Sequence, residues 1–219
     1  ELLLVTEQSG PGLALRRYGL DGRLLATRLI GHPHRSTPAA LAAAADGSYY
    51  LATDEFDVQR QANALWLLKL TARGDTLWTR RHPAFCPTEL LVTSGRQLVC
   101  YGYYHPPLDS KAAESHAQYL KILLLDAAGG RQWQREIKRH YSEQPGSVVK
   151  TSAHTFLFAS AVTPVQNEGR FAFLFELNRA GQPVVERRLA YPLGISGGPV
   201  LLPGRGGYLL LGQQWIGKF

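Results

Sequence analysis

The sequence predicts an all-β fold, built from about four copies of a single four-stranded antiparallel unit. Three observations carry that reading. Short turns ending in glycine recur at Gly22, Gly74, Gly129 and Gly181, a period of about 53 residues, as expected of a repeat architecture. Each of these turns joins two strand-like apolar runs. A second series of turns, at Asp46-Gly47, Ser94-Gly95, Ala153-His154 and Gly204–Gly207, falls between the turns of the first.

Each period therefore holds four strands, A to D. Strand C precedes the first glycine turn, at Leu13–Tyr18, Ala64–Leu70, Tyr119–Leu125 and Arg170–Leu177. Strand D follows it, at Arg23–Ile30, Asp75–Arg81, Arg131–Ile137 and Pro183–Leu189. Strand A precedes the second turn, at Pro38–Ala45, Thr88–Thr93, Val148–Thr151 and Pro199–Leu202. Strand B follows it, at Tyr49–Thr53, Gln97–Tyr103, Thr155–Ala161 and Tyr208–Gln213. Gly, Asn or Asp in the tight turns supplies the backbone angles that a hairpin needs. Ala39–Ala45 reads as helix by propensity alone, but the register of the repeat makes it an inner strand, where small side chains suit a crowded axis. The B-to-C connections are the long ones, at 54–63, 104–118 and 163–169. In the second of them, Asp109 is placed to cap a helical turn over Ser110–Glu114.

Four short antiparallel strands per repeat, arrayed radially, make a β-propeller blade. The approximate blades are 1–37, 38–87, 88–147, 148–198 and an incomplete 199–219. Leu2–Glu7 takes the register of a B strand, and the chain closes on an A strand and another B strand. A shut four-bladed ring would then carry one B strand too many. The expectation is a single, partial propeller domain, an open arc of a larger ring whose exposed blade faces lower stability or favour self-association.

Composition agrees with a globular β protein: 45% hydrophobic and 19% charged residues, with 22 Gly and 13 Pro. No apolar run is long enough to cross a membrane as a helix, no signal peptide is visible, and the absence of Met fits a piece lacking its native start. The net charge of +7 raises nucleic acid as a partner. Yet Arg23, Arg28, Arg80, Arg81, Arg131, Arg135, Lys138, Arg139, Arg187 and Arg188 lie on or beside D strands. Charge on an outer strand guards its open edge, so no nucleic acid partner is expected. Cys86 and Cys100 fall about four residues out of register in the hairpin around Gly95, roughly 13 Å apart, too far for a disulfide. Two free thiols are expected, with Cys100 buried.

Lys69-Leu-Thr-Ala-Arg-Gly-Asp-Thr-Leu-Trp78 and Leu124-Leu-Asp-Ala-Ala-Gly-Gly-Arg-Gln-Trp133 resemble the blade motif of PQQ-like propellers: an apolar strand, a turn ending in Gly, then Trp four residues on. With Asp46-Gly-Ser-Tyr-Tyr-Leu-Ala52 and Gly206-Gly-Tyr-Leu-Leu-Leu-Gly212, the pattern also resembles propeller repeats of secreted bacterial proteins. Ala26 and Val185 replace the Trp in the other two repeats. The quinone enzymes of that superfamily need metal and cofactor residues that nothing here matches. The resemblance therefore implies a non-enzymatic relative without a cofactor, extracellular, periplasmic or at the cell surface. Trp78 and Trp133 should wedge between adjacent blades.

Propeller geometry puts the D-to-A and B-to-C loops on one face. His32, His82, His105, His116 and His140 fall there, with Asp54 and Asp57. They are the candidate ligand-binding residues. His34, Glu55, Asp109 and Glu114 share the face. Loops of different blades do not converge of themselves, and His32-Pro-His34 is no recognised ligand spacing, so no metal is assigned. Gly194-Ile-Ser196-Gly-Gly198 matches a nucleophile elbow in letters, but the elbow needs a strand before it and a helix after it. A strand follows instead, and no catalytic residue is assigned. Phosphate loops, dinucleotide glycine patterns, paired-cysteine motifs and calcium loops are absent from the sequence. The reading is a non-enzymatic binding or interaction scaffold, its partner a protein or carbohydrate at the loop face. The rival is a hydrolase or lyase using the same face.

Overall fold

The computed structural model describes residues 1–8, 12–31, 36–57, 62–94, 96–105, 118–138, 141–151, 155–164, 171–190, 198–204, 207–212 and 215–218. Its first sheet holds β1 (Leu2–Glu7), β2 (Leu13–Tyr18) and β3 (Leu24–Ile30). The second holds β4 (Ser36–Ala43), β5 (Tyr49–Asp57), β6 (Ala62–Leu70) and β7 (Thr76–Pro83). The third holds β8 (Cys86–Val92), β9 (Leu98–Tyr104), β10 (Tyr119–Leu125) and β11 (Arg131–Ile137). The fourth holds β12 (Tyr141–Lys150), β13 (Thr155–Pro164), β14 (Phe171–Asn178) and β15 (Pro183–Ala190). The fifth holds β16 (Val200–Gly204), β17 (Gly207–Gly212) and β18 (Trp215–Lys218). Strand order follows chain order in every sheet, and all pairs are antiparallel.

Local chemistry fixes this pattern. A bulge falls at the end of each C strand, at Arg17/Tyr18, Lys69/Leu70, Leu124/Leu125 and Glu176/Leu177, and bends the pair into its glycine turn. The turn glycines are left-handed, with φ of 89° at Gly74 and 78° at Gly129, which is why the repeat carries Gly there. Each complete blade has a second bulge on its A strand, always starting at a proline: Pro38, Pro87 and Pro145. Proline cannot donate to the ladder, so the ladder shifts there. The alanine-rich segment is strand, since β4 runs from Ser36 to Ala43 and pairs with β5.

The cores lie between sheets. Each innermost strand packs on the next in chain order: β4 on β8, β8 on β12 and β12 on β16, while β1 packs on β4. Alternation sends successive side chains to opposite faces, so every sheet serves two cores. Leu13, Leu15 and Ile30 meet Leu51, Trp66 and Leu68 between the first two sheets. Leu65 and Leu67 meet Leu98, Cys100 and Leu123 between the second and third. Tyr101, Ile122 and Leu124 meet Phe156, Phe158 and Phe175 between the third and fourth. Ala172 and Leu174 meet Leu201 and Leu210 between the fourth and fifth.

The outer rim has its own joint. The C-to-D turns of the second, third and fourth blades seat on the outer two strands of the blade before, so closely that a Cβ on the turn glycine would crowd its neighbours. At Gly74 it would stand 2.6 Å from Leu15, at Gly129 2.7 Å from Arg80 and at Gly181 3.2 Å from Trp133. Arg28 pairs with Asp75 of the seated turn. Trp133 Nε1 donates to the Arg179 carbonyl at 2.6 Å, and Arg135 donates to the Gly181 carbonyl at 2.8 Å. Trp78 and Trp133 thus wedge between blades as the sequence predicts.

Several limits move. Strands B and C of the second blade run to Asp57 and from Ala62, so Asp54, Glu55 and Asp57 belong to β5 and not to a loop. β12 begins at Tyr141, seven residues before the predicted A strand. Trp215–Lys218 pairs with β17 as the opening of a C strand. Cys86 faces Tyr103, one residue off the predicted position, and Cys100 faces Leu90 as predicted. Both cysteines are free and buried.

Candidate functional site

The face of the D-to-A and B-to-C connections is built where the second and third blades meet. Asp54 near the end of β5 and Asn63 at the start of β6 point toward the third blade. Asn63 Nδ2 donates to both carboxylate oxygens of Asp54, at 2.8 and 2.9 Å. Burial raises the Asp54 pKa, against the Asn63 hydrogen bond and the charge of His105. His105, just past β9, is exposed and meets the Tyr103 ring edge-on at 5.4 Å between centroids. Cys86 opposes Tyr103, and burial together with the Asp54 charge pushes its thiol up to about 12. Tyr103 is also pushed up to about 12, by burial and then by its Cys86 and Asp54 neighbours.

A second group continues the same end of the joint. Lys121 is buried on β10, inside the run Tyr119-Leu-Lys-Ile-Leu. Its Nζ donates to the Ala84 carbonyl at 2.9 Å and lies 3.8 Å from Glu136. It also stands 5.4 Å from the centre of the Tyr104 ring. Tyr104 donates to Glu136 at 3.0 Å, and Lys138 pairs with the same carboxylate at 3.3 Å. Burial alone would raise Glu136, but these hydrogen bonds and both lysine charges hold it below the usual range. Burial lowers Lys121.

The candidate residues fare unequally. Asp54 and His105 come together. Asp57 does not join them: it lies on the other face of β5, where Arg81 bridges it at 3.3 Å and Glu55 at 3.0 Å. His82 is a correction as well. It sits on β7, not in a loop, and faces inward opposite Leu65. His32, His116 and His140 lie outside the described residues, as do His34, Asp109, Glu114 and Ser196. Sequence reading missed Asn63, Tyr103, Tyr104, Lys121 and Glu136. The aromatic run Tyr101-Gly-Tyr-Tyr-His105, and a lysine set among leucines, were the signals available.

What this arrangement offers is recognition chemistry. A planar amide–carboxylate pair and the Tyr103 ring stand beside an imidazole. The thiol is no nucleophile near neutrality, because a thiol must ionise to react. Among the described residues, no three His, Cys, Asp or Glu side chains gather as a metal ion would require. The basic rim is largely spoken for within the chain. Arg28, Arg81 and Arg135 have the partners given above, and Arg188 lies 3.8 Å from the Phe171 ring centre. No helix among the described residues is long and apolar enough to cross a membrane.

Fold and joints together define an open array of β-propeller blades, three with four strands and one three-stranded sheet at each end. Among the described residues β1 pairs only with β2, and β17 pairs with β16 and β18, so no shared sheet closes a ring. The chain is similar to a Synechocystis ACO mutant over 99% of its length and 52% of that chain, at 14% identity and a TM-score of 0.54. It is similar to a eukaryotic initiation factor over 86% of its length and 43% of that chain, at 12% identity and 0.50. A looser likeness, at 9% identity and a TM-score of 0.44, is to the β-propeller domain of the Trilobed protease from Pyrococcus furiosus, over 100% of this chain and 71% of that one. The chain spans about half the length of the first two. No protein-family model matches it, and no curated protein matches it.

Proposed function

We propose that this chain is a non-enzymatic binding module whose partner, a protein or a carbohydrate, meets the loop face at the joint of the second and third blades. The observation that carries the reading is the Asp54–Asn63 pair with Tyr103 and His105 beside it. Amide, carboxylate and ring edge are what hydroxyl-rich or peptide surfaces hydrogen-bond and stack against. The buried carboxylates elsewhere on this face are taken up within the chain, Glu55 and Asp57 by Arg81 and Glu143 by Ser160 at 3.2 Å. The raised pKa of Asp54 favours a second reading, a hydrolase or lyase with Asp54 as acid.

One experiment separates the two. The chain is screened against an array of glycans and a set of surface proteins, and then against glycoside and ester substrates. Binding lost in Asn63→Ala and His105→Ala, with no turnover, supports the module. Turnover lost in Asp54→Asn supports the enzyme. Binding untouched by all three substitutions removes the site from consideration. The likeness of the blade motifs to PQQ-like and secreted bacterial repeats supports an extracellular, periplasmic or cell-surface location. Fractionation of the source cells with an antibody to the chain tests it, and a purely cytoplasmic signal would overturn it.

A further inference from the structure

Position eight after the turn glycine is an inward, apolar joint position. Ile30, Ile137 and Leu189 hold it in the first, third and fourth blades, opposite Leu13, Leu120 and Ala172. In the second blade the residue there is His82, opposite the fully buried Leu65. Its Nε2 is buried and has no hydrogen-bond partner among the described residues. The side chain is half-buried at the joint between the second and third blades, its Nε2 turned in, where three other blades place a hydrocarbon.

We propose that His82 is an acid-sensitive element of this joint: protonation of its ring loosens the packing of the third blade on the second. A neutral imidazole can be tolerated in the seam, because one ring nitrogen of that form carries no proton. The imidazolium carries two N–H donors, and at least the one on Nε2 has no acceptor among the described residues. The charged groups facing it make matters worse. Arg80 on β7, Lys121 on β10 and Arg131 on β11 are all cationic, and among the described residues only the Gly129 backbone favours the proton. Burial is the largest influence, and it holds the group below its ordinary 6.5. The unfolded chain therefore takes up the proton first as pH falls. The stability held by the neutral ring is whole above 6.5 and is lost as pH drops through the folded value.

Cys86 reports on the joint, because it is buried at the same boundary and Cys100 lies within the core beside it. The intact chain is treated with a dithiodipyridine, whose protonated rings let a thiol attack its disulfide and expel thiopyridone in acid as well as at neutrality. Rates are normalised to the unfolded chain at the same pH, and the labelled site is located by peptide mass mapping. Mildly acidic and mildly alkaline buffers are compared. Cys86 of the parent chain should be labelled several-fold faster in acid, tenfold for each unit by which its fold depresses the His82 value. His82→Ile, which installs the residue of the first and third blades, should label slowly and equally at both pH values. Equal acid acceleration in His82→Ile, or none in the parent, overturns the proposal. An NMR titration of the parent gives an independent reading: a His82 pKa at or above 6.5 in the folded chain overturns it too.

Discussion

The two central joints are built to one plan from opposite materials. Between the third and fourth blades the packing is aromatic. Phe158 and Phe175 stack 5.1 Å apart and Tyr101 meets Phe158 edge-on at 5.2 Å. The Tyr101 hydroxyl donates to the Ala159 carbonyl at 3.0 Å. Between the second and third blades leucines pack beside His82, and the end of the joint is polar, with Asp54, Asn63, Cys86, Lys121 and Glu136. An aromatic joint gains from buried area and ring geometry. A joint with buried polar groups is sound only while each keeps its partner. The aromatic seam therefore rests mainly on packing, and the polar end of the other carries the candidate site.

The largest effect is expected for Phe158→Ala, which should cost about 3–5 kcal/mol in urea unfolding. A loss smaller than that from Leu65→Ala would reverse the ranking of the joints. Next comes Glu89, which accepts from the Val148 N–H at 2.6 Å and is pushed up from 4.5 to about 7 by burial. Its fold favours the protonated acid, so this contribution is whole below 4.5 and is lost as pH rises through about 7. The third–fourth joint should thus strengthen in acid while the second–third joint weakens. Glu89→Gln should remove up to about 3 kcal/mol of that alkaline loss, at 1.36 kcal/mol per unit, read from stability at pH values on either side of neutrality. A smaller effect belongs to Trp133→Phe, which deletes the bond to Arg179 and should cost about 1 kcal/mol, measured by the same unfolding. Smallest is a test of the two ends, where Leu2, Leu4, Val200 and Leu202 are exposed. Leu4→Lys with Val200→Lys should change stability by less than about 0.5 kcal/mol yet reduce self-association in sedimentation. An unchanged sedimentation profile would mean that these faces are not sticky.

The fold was legible because its signals are periodic. A glycine every blade, a strand on each side and, in two blades, a Trp four residues on defined the unit, and even the alanine run of β4 yielded to register. The site was less legible, for physical reasons. Asp54 and His82 are polar residues within strands, and polarity alone reads as loop. Only the partners, Asn63 for Asp54 and the seam for His82, explain why the strand continues through them. The bulge after Pro87 shifts the β8 register, which is why Cys86 meets Tyr103 and not its neighbour. Lys121 lay in an apolar run whose other members masked it, and its acceptor, the Ala84 carbonyl, is a backbone atom that no sequence pattern announces.

The seating of these C-to-D turns on the blade before has a consequence in time. The outer strand of a blade is clamped by a loop that belongs to the next one, so during synthesis it leaves the ribosome before its clamp exists. The delay is about 53 residues, roughly 3–10 s at usual elongation rates. Throughout that interval Trp78 would stand open to any other chain nearby, until Gly129 emerges to cover it. The arginines on these strands would then serve the nascent chain as well as the finished one, repelling other nascent copies while each blade waits for its successor.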